Sequence, residues 1–193
     1  MRFCQLTTKR TFDLSLVFLI ILLLLPLFLF IAVLIRISSP GPALHWSDRV
    51  GRHNRIFKMP KFRSMRIDTP VVATHLLQNP TQWCTPIGSF LRKSSLDEMP
   101  QLWSILLGDM SFVGPRPALF NQDELIALRT EMGVHELVPG LTGWAQVQGR
   151  DELPIHKKVQ MDTEYLARQS MLLDLKILCM TALKVLLRDG VSH

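Results

Sequence analysis

Apolar positions crowd into one end of the chain. From Leu14 to Ile35 only Ser15 and Pro26 interrupt an apolar run of 22 residues, and no charge falls inside it. As a helix rising about 1.5 Å per residue, that run is roughly 33 Å long, enough to cross a hydrocarbon core. Ile35-Arg36-Ile37 offers no small-residue cleavage site, which argues against a signal peptide. Both flanks are basic, with Arg2, Lys9 and Arg10 before the run and Arg36, Arg49, Arg52 and Arg55 after it. Basic residues favour the cytoplasmic side, so a simple span would leave one group outside. Pro26 removes a backbone donor in mid-run and kinks or breaks a helix there. A helix that enters, bends at Leu25-Pro26 and returns to the same face satisfies both features. A spanning helix with a proline kink accounts for Pro26 alone.

Beyond the run, the pattern becomes that of a mostly helical domain with short strands. Ser39-Pro-Gly-Pro42 is a turn cluster that ends the membrane element. Arg49-Val-Gly51-Arg52 and Ile56-Phe-Lys58 read as a short hairpin or as irregular strands. Residues 68–86, with Pro70, Pro80 and Pro86, read as a loop. Ser95-Leu-Asp-Glu98 matches a capping box and predicts a helix from Leu96 to Leu107, with Ser95 as N-cap and Glu98 reaching back. Gly114-Pro-Arg-Pro117 is a rigid turn, Asn121 to Met132 a polar helix, and Pro139 to Trp144 a tight loop. From Lys157 to Arg188 the chain reads as helix. Its apolar end carries Asp174, Lys176 and Lys184, so it suits a core or an interfacial helix better than a second span. The division expected is a membrane-inserted segment 1–38 and a catalytic domain 39–193.

Composition narrows the function. With 48% hydrophobic and 20% charged residues, general disorder is excluded, and 193 residues suffice for one domain. Residues 1–93 hold 13 Lys and Arg against 3 Asp and Glu, a net +10, whereas residues 94–193 hold 9 against 13, a net −4. A basic segment beside a membrane segment calls for anionic partners. Cys4, Cys84 and Cys179 form no CxxC pair, which disfavours a disulfide framework and a zinc ribbon. Walker, GxGxxG, HExxH and GxSxG patterns are absent from the sequence.

The suggestive chemistry lies at Asp97-Glu98. Adjacent acids at a helix start feel the positive end of the dipole, an ionised Asp is a nucleophile, and a neighbouring Glu holds a divalent cation. Acids also simply favour a first helical turn. Their basic company shifts that balance: Arg92, the close pair Lys61 and Arg63, and Arg116, locked between two prolines that limit the entropy of presenting its guanidinium. Acids, arginines and a membrane segment together suit phosphoryl chemistry on a lipid.

Seven motifs in order identify a resemblance over nearly the whole chain, Lys9 to Ser192. They include Lys9-Arg10-x-Phe-Asp13, Ser39-Pro-Gly-Pro42, Arg49-Val-Gly-Arg52, Lys61-Phe-Arg-Ser-Met65 and Arg92-x-x-Ser-Leu-Asp-Glu98-x-Pro-Gln-Leu102. Gly108-Asp-Met-Ser-Phe-Val-Gly-Pro-Arg-Pro117 and Pro139-Gly-Leu-Thr-Gly143 complete them. The pattern resembles the bacterial sugar transferases, the monotopic polyprenyl-phosphate phosphoglycosyl transferases, in their small form. One departure is Leu25, where the family often has Ser before the membrane proline.

That resemblance implies a re-entrant N-terminal helix broken at Pro26 and interfacial amphipathic helices at the cytoplasmic face of the bacterial inner membrane. It implies transfer of a sugar 1-phosphate from a UDP-sugar to undecaprenyl phosphate, with release of UMP and a requirement for Mg²⁺. Asp97 would form a covalent phosphosugar intermediate, and Glu98 with Asp97 would hold the metal. Lys61, Arg63, Arg92 and Arg116 would contact phosphates, with Gln146 and Arg150 as further substrate contacts. The ending, Gly143 to Asp151 and Gly190-Val-Ser192, looks most like small members that prime protein glycosylation, capsular or exopolysaccharide, and lipopolysaccharide O-antigen with N-acetylated sugars. The partners are then the UDP-sugar, undecaprenyl phosphate and the bilayer, with no nucleic acid and room for a homodimer. A rival from another class is a non-catalytic membrane-anchored module that binds anionic lipid or nucleic acid through residues 36–66. It leaves Asp97-Glu98 and the proline-held Arg116 without a purpose.

Overall fold

A computed structural model describes residues 2–70, 80–149 and 153–187. The fold is mostly helical with a few short strands. Helix α1, Arg2–Ser38, is one continuous helical assignment with Pro26 inside it. Its stretch Thr8–Ser38 has a mean hydropathy of 3.4, long and apolar enough to cross a membrane. Most of its large side chains are exposed, Leu22 and Leu23 among the furthest out. Water would not tolerate so much bare apolar surface, so α1 associates with a membrane.

Both ends of α1 are tied into the rest of the molecule. Near its start, Lys9 Nζ donates to the Val113 carbonyl (3.0 Å) and pairs with the buried Asp174. Asp174 also accepts the Tyr165 hydroxyl (2.7 Å). Arg10 donates to the carbonyls of Ile105 (2.5 Å) and Leu106 (2.8 Å). Val17 enters the main core beside Leu102, Ile105, Phe112, Tyr165 and Ile177. Near the other end, Ile31 and Ile35 bury against Phe62 and Leu91.

Strands β1 (Leu44–Val50) and β2 (Ile56–Phe62) form an antiparallel hairpin, Leu44 opposite Phe62 and Val50 opposite Ile56. The expected hairpin forms but is longer on the side away from the turn, and β1 ends at Val50, so Gly51 and Arg52 belong to the turn. Helix α2 spans Gly88–Lys93. The expected helix from Leu96 starts differently: Leu96–Gln101 is a 3-10 segment, and α3 covers Leu102–Leu107. Ser95 is left-handed (φ 56°) and makes no cap bond, so the capping box does not form. Glu98 is drawn elsewhere by charges stronger than a cap.

Strand β3 (Ser111–Val113) runs parallel to β5 (Gly140–Thr142), and β4 (Ala118–Leu119) pairs with the free edge of β1. Gly114 and Gly140 let β3 and β5 pass at backbone distance. A Cβ at Gly114 would lie 2.4 Å from the Val138 oxygen, and one at Gly140 only 2.1 Å from the Gly114 nitrogen. Helix α4 is Asp123–Glu131 and α5 is Trp144–Gly149. The C-terminal helical stretch is two helices, α6 (Ile155–Arg168) and α7 (Met171–Leu187). Ser170 starts the second, its hydroxyl accepting the Leu173 N–H (3.3 Å). One face of helix α7 packs into the core, as the core reading expects. Asp174 and Ile177 are buried, while Leu172, Leu183 and Leu187 stand exposed on other sides.

Candidate active site

The acids sit on the 3-10 segment between α2 and α3, packed against β2. Asp97 is 9% exposed. Glu98 reaches away from its own turn. Its Oε1 accepts Lys61 Nζ, from β2, at 2.7 Å and Arg116 Nη2, from the β3–β4 turn, at 2.9 Å. Three segments far apart in sequence thus converge on one carboxylate oxygen. Arg92, at the end of α2, directs Nη1 to Met65 Sδ (3.0 Å) and lies close enough for its charge to act on Asp97.

The two carboxylates are driven in opposite directions. Burial pushes Asp97 up to about 6. The Lys61 cation pulls against that rise, the Glu98 charge adds to it, and Arg92 and Arg116 oppose it. Burial also raises Glu98, but the adjoining Arg116 and Lys61 outweigh it and hold that carboxyl well below the usual carboxylate range. The dipole of a short 3-10 segment does not offset burial at Asp97, so that carboxyl titrates higher than an acid at a helix start would. At neutral pH Asp97 is still mainly a carboxylate, and one whose basicity approaches that of a catalytic base or nucleophile. Three cations then face two carboxylates, a net positive cluster suited to phosphate oxygens.

Among the described residues no cluster of three or more His, Cys, Asp or Glu could hold a metal by itself. Mg²⁺ commonly uses only one or two carboxylates, completing its shell with water and substrate phosphates. Both cations sit on the same oxygen of Glu98, so Oε2 and the Asp97 carboxylate remain as hard oxygen donors. The donor set fits that pattern.

Lys61, Arg92, Asp97, Glu98 and Arg116 therefore belong to one site. Arg63 does not join it. Its guanidinium is buried and donates to the Ser39 carbonyl (2.9 Å), the Ser39 hydroxyl (2.8 Å) and the Pro40 carbonyl. Its work is to hold the turn that follows α1. Gln146 lies on α5 with Nε2 donating to the Leu141 carbonyl (3.1 Å), apart from the dyad's hydrogen bonds. Arg150 lies outside the described residues. The segment 36–66 offers few unengaged charges. Arg49 donates to the Pro117 carbonyl and Arg52 to that of Glu136, Lys58 lies beside Asp48, and Arg66 pairs with Asp68. Sequence patterns missed Arg129 and Asp162, a buried ion pair behind Arg116. The signal was there: Asp162 lies on the same stripe of α6 as the buried Val159 and Tyr165.

The chain is similar to known proteins over most of its length. The uncharacterized sugar transferase EpsL of Bacillus subtilis (strain 168) is 38% identical over 187 residues, 96% of this chain and 90% of that one. The UDP-glucose:undecaprenyl-phosphate glucose-1-phosphate transferase of Escherichia coli (strain K12) is 40% identical over 184 residues, 91% of this chain and 39% of that protein. The undecaprenyl-phosphate galactose phosphotransferase of Salmonella typhimurium is 38% identical over 200 residues, covering 94% and 41%. The chain thus spans nearly all of the first relative and about two-fifths of the other two. The sequence model of the bacterial sugar transferases matches residues 4–188, which takes in nearly all of α1, the dyad, every cation around it and α7, and the chain belongs to that family.

Proposed function

We propose that the protein transfers a sugar 1-phosphate from a UDP-sugar to undecaprenyl phosphate at the cytoplasmic face of the inner membrane, releasing UMP. The observation that carries this is the buried Asp97 beside Glu98, whose Oε1 is held by both Lys61 and Arg116 in one net-positive cluster. The Asp97 carboxylate attacks the phosphorus that bears the sugar. A new P–O bond forms as the bond to UMP breaks, and UMP leaves with that electron pair. An oxygen of the lipid phosphate then attacks the same phosphorus. The P–O bond to Asp97 breaks, the carboxylate is restored, and the sugar remains on a lipid diphosphate. Lys61, Arg92 and Arg116 neutralise the phosphate oxygens through both steps. Glu98, with Asp97, would hold Mg²⁺, which supplies further charge neutralisation.

Support for a re-entrant α1 comes from its two ends. Lys9 and Arg10 near one end, and Ile31 and Ile35 near the other, grip the same domain. A span would put those ends on opposite faces of the bilayer. The exposed middle around Leu22–Leu25 is then the part that dips into lipid, with Pro26 as the expected break. The binding-module alternative is disfavoured because Lys61 of the basic segment is engaged by Glu98 and Arg63 by the turn after α1, and it leaves the Asp97-Glu98 cluster without a purpose.

The test is UMP release in the presence of undecaprenyl phosphate and Mg²⁺ across UDP-glucose, UDP-galactose and their N-acetylated counterparts. Relatives are named for glucose and galactose, whereas the C-terminal motifs suggest an N-acetylated sugar. One UDP-sugar should support turnover, and the intact protein should gain the mass of a sugar phosphate when acceptor is withheld. No UMP from any donor, or no mass gain, would overturn the proposal.

A further inference from the structure

The buried pair behind Arg116 has no part in the chemistry described so far. Arg129, on α4, donates from Nε (3.0 Å) and Nη2 (2.7 Å) to Oδ2 of Asp162 on α6. The side chains are 12% and 2% exposed. Such a pair adds little net stability, because desolvation offsets its Coulombic attraction. Asp162 shows that cost: burial raises its carboxyl even with the Arg129 charge and hydrogen bonds beside it.

What the pair does hold is a backbone atom. The remaining nitrogen of Arg129, Nη1, donates to the Arg116 carbonyl at 2.8 Å. The neighbouring carbonyls are held too. Pro115 accepts from the Gly140 N–H (2.9 Å), and Pro117 accepts from Arg49 Nη1 (3.2 Å). Pro115 and Pro117 have no N–H, so their carbonyls are the only backbone handles they offer. All three are gripped in succession, by β5, α4 and β1. From this fixed backbone the Arg116 side chain, 31% exposed, reaches Glu98 Oε1.

We infer that Arg129 and Asp162 are positioning residues for the phosphate site. Asp162 orients the Arg129 guanidinium, and Arg129 fixes the Arg116 carbonyl so that the Arg116 side chain meets Glu98 and the substrate phosphate. The inference rests on the proposed transfer chemistry for what Arg116 binds. A purely structural pair would lower stability and activity together. A positioning pair separates them.

The experiment uses the full chain in detergent, with UMP release and thermal unfolding measured on the same preparations. The double variant Arg129→Met, Asp162→Leu should unfold close to wild type, since apolar replacement of a buried pair is commonly neutral or better. Its kcat/KM should fall about 10- to 100-fold, the scale expected when a clamp is displaced by about 1 Å. Arg129→Lys keeps a charge for Asp162 but loses the three-armed grip, and should lose about 10-fold by the same geometry. Placed in an Arg116→Lys background, Arg129→Lys should cost nothing more, because its effect runs through Arg116. Full activity in a folded double variant would overturn the inference. So would an Arg129→Lys loss that multiplies unchanged in the Arg116→Lys background. Should the double variant not fold, the Arg129→Lys cycle decides alone. An activity-independent readout is the guanidinium NMR signal set of Arg116 in protein labelled with nitrogen-15 arginine, assigned by its loss in Arg116→Lys. Those signals should be ordered in wild type and averaged in Arg129→Lys, and identical signals in both would refute the positioning role. A wild type that shows ordered Arg116 signals but releases no UMP would sink the proposed function and leave the positioning intact.

Discussion

Replacing Asp97 with Asn should abolish activity and make the protein more stable. The carboxyl is raised from 3.8 to about 6, chiefly by burial. A group whose folded pKa lies above its unfolded value contributes stability below the unfolded pKa and loses it as pH rises through the folded one. At pH 7.5 that contribution is gone, and the chain carries an ionised, desolvated Asp97. A shift of roughly two units, at 1.36 kcal/mol each, is about 3 kcal/mol as an upper figure. Asn has the same shape and no charge to desolvate, so Asp97→Asn should recover most of it. For a domain of this size 1 kcal/mol moves the midpoint by about 2–4 °C, so the gain is roughly 6–12 °C at most. Unfolding followed by the fluorescence of the four tryptophans, at pH 7.5 and at pH 4, measures it. The gap should be wide at pH 7.5 and nearly closed at pH 4, where the wild-type Asp97 is protonated. An Asn variant no more stable than wild type at pH 7.5, or a gap that does not shrink in acid, would refute the reasoning. Either would mean that the cations around Asp97 repay its burial in full. UMP release from the same variant should be at background.

The remaining expectations concern the same site and its anchor. The kcat/KM for UDP-sugar should fall as pH drops through about 6, because protonated Asp97 is no nucleophile; a pH–rate profile flat from pH 5 to 8 would contradict the assignment. Glu98→Gln and Arg116→Ala should each lower UMP release by about 100-fold, since each removes a charge partner of the diphosphate, and near-wild-type turnover in either would remove it from the site. EDTA should stop turnover and Mg²⁺ restore it, and full activity in EDTA would exclude the metal. Asp174→Leu should destabilise by about 3–5 kcal/mol because Lys9 is left buried without its partner, whereas Lys9→Met with Asp174→Leu should recover most of the loss in a thermal melt.

Some of this was legible along the chain and some was not, and the division follows the range of the forces. Asp97-Glu98 and the proline-flanked Arg116 are local patterns, carried by residues within a few positions of one another. The apolar run of α1 is a composition signal that no folding detail could hide. The capping box at Ser95 was equally local and did not form. A cap contributes about 1 kcal/mol, while Glu98 gains two charge-assisted hydrogen bonds to Lys61 and Arg116. Lys61 lies 37 positions from Glu98, so that competition is decided only once β2 packs beside the 3-10 segment. Arg63 failed for a related reason. It lies two positions after Lys61, a spacing that within one strand would put both on the same face, but β2 ends at Phe62 and Arg63 is already beyond it. One reaches the dyad and the other the turn after α1.

The basic flank of α1 shows how one residue serves two ends. In the sequence Lys9 and Arg10 count as charges that hold a helix end on the cytoplasmic side. In the fold Lys9 is buried against Asp174 and Tyr165, and Arg10 binds the last carbonyls of α3. Helix α3 follows directly from the segment that bears Asp97. Ser39 and Pro40, just beyond the other end of α1, hold Arg63, which follows the strand that bears Lys61. Each end of the membrane helix is therefore fastened close in sequence to a residue of the site. With the site riding on both fastenings, the depth at which α1 settles in the bilayer sets the height of Asp97 above it.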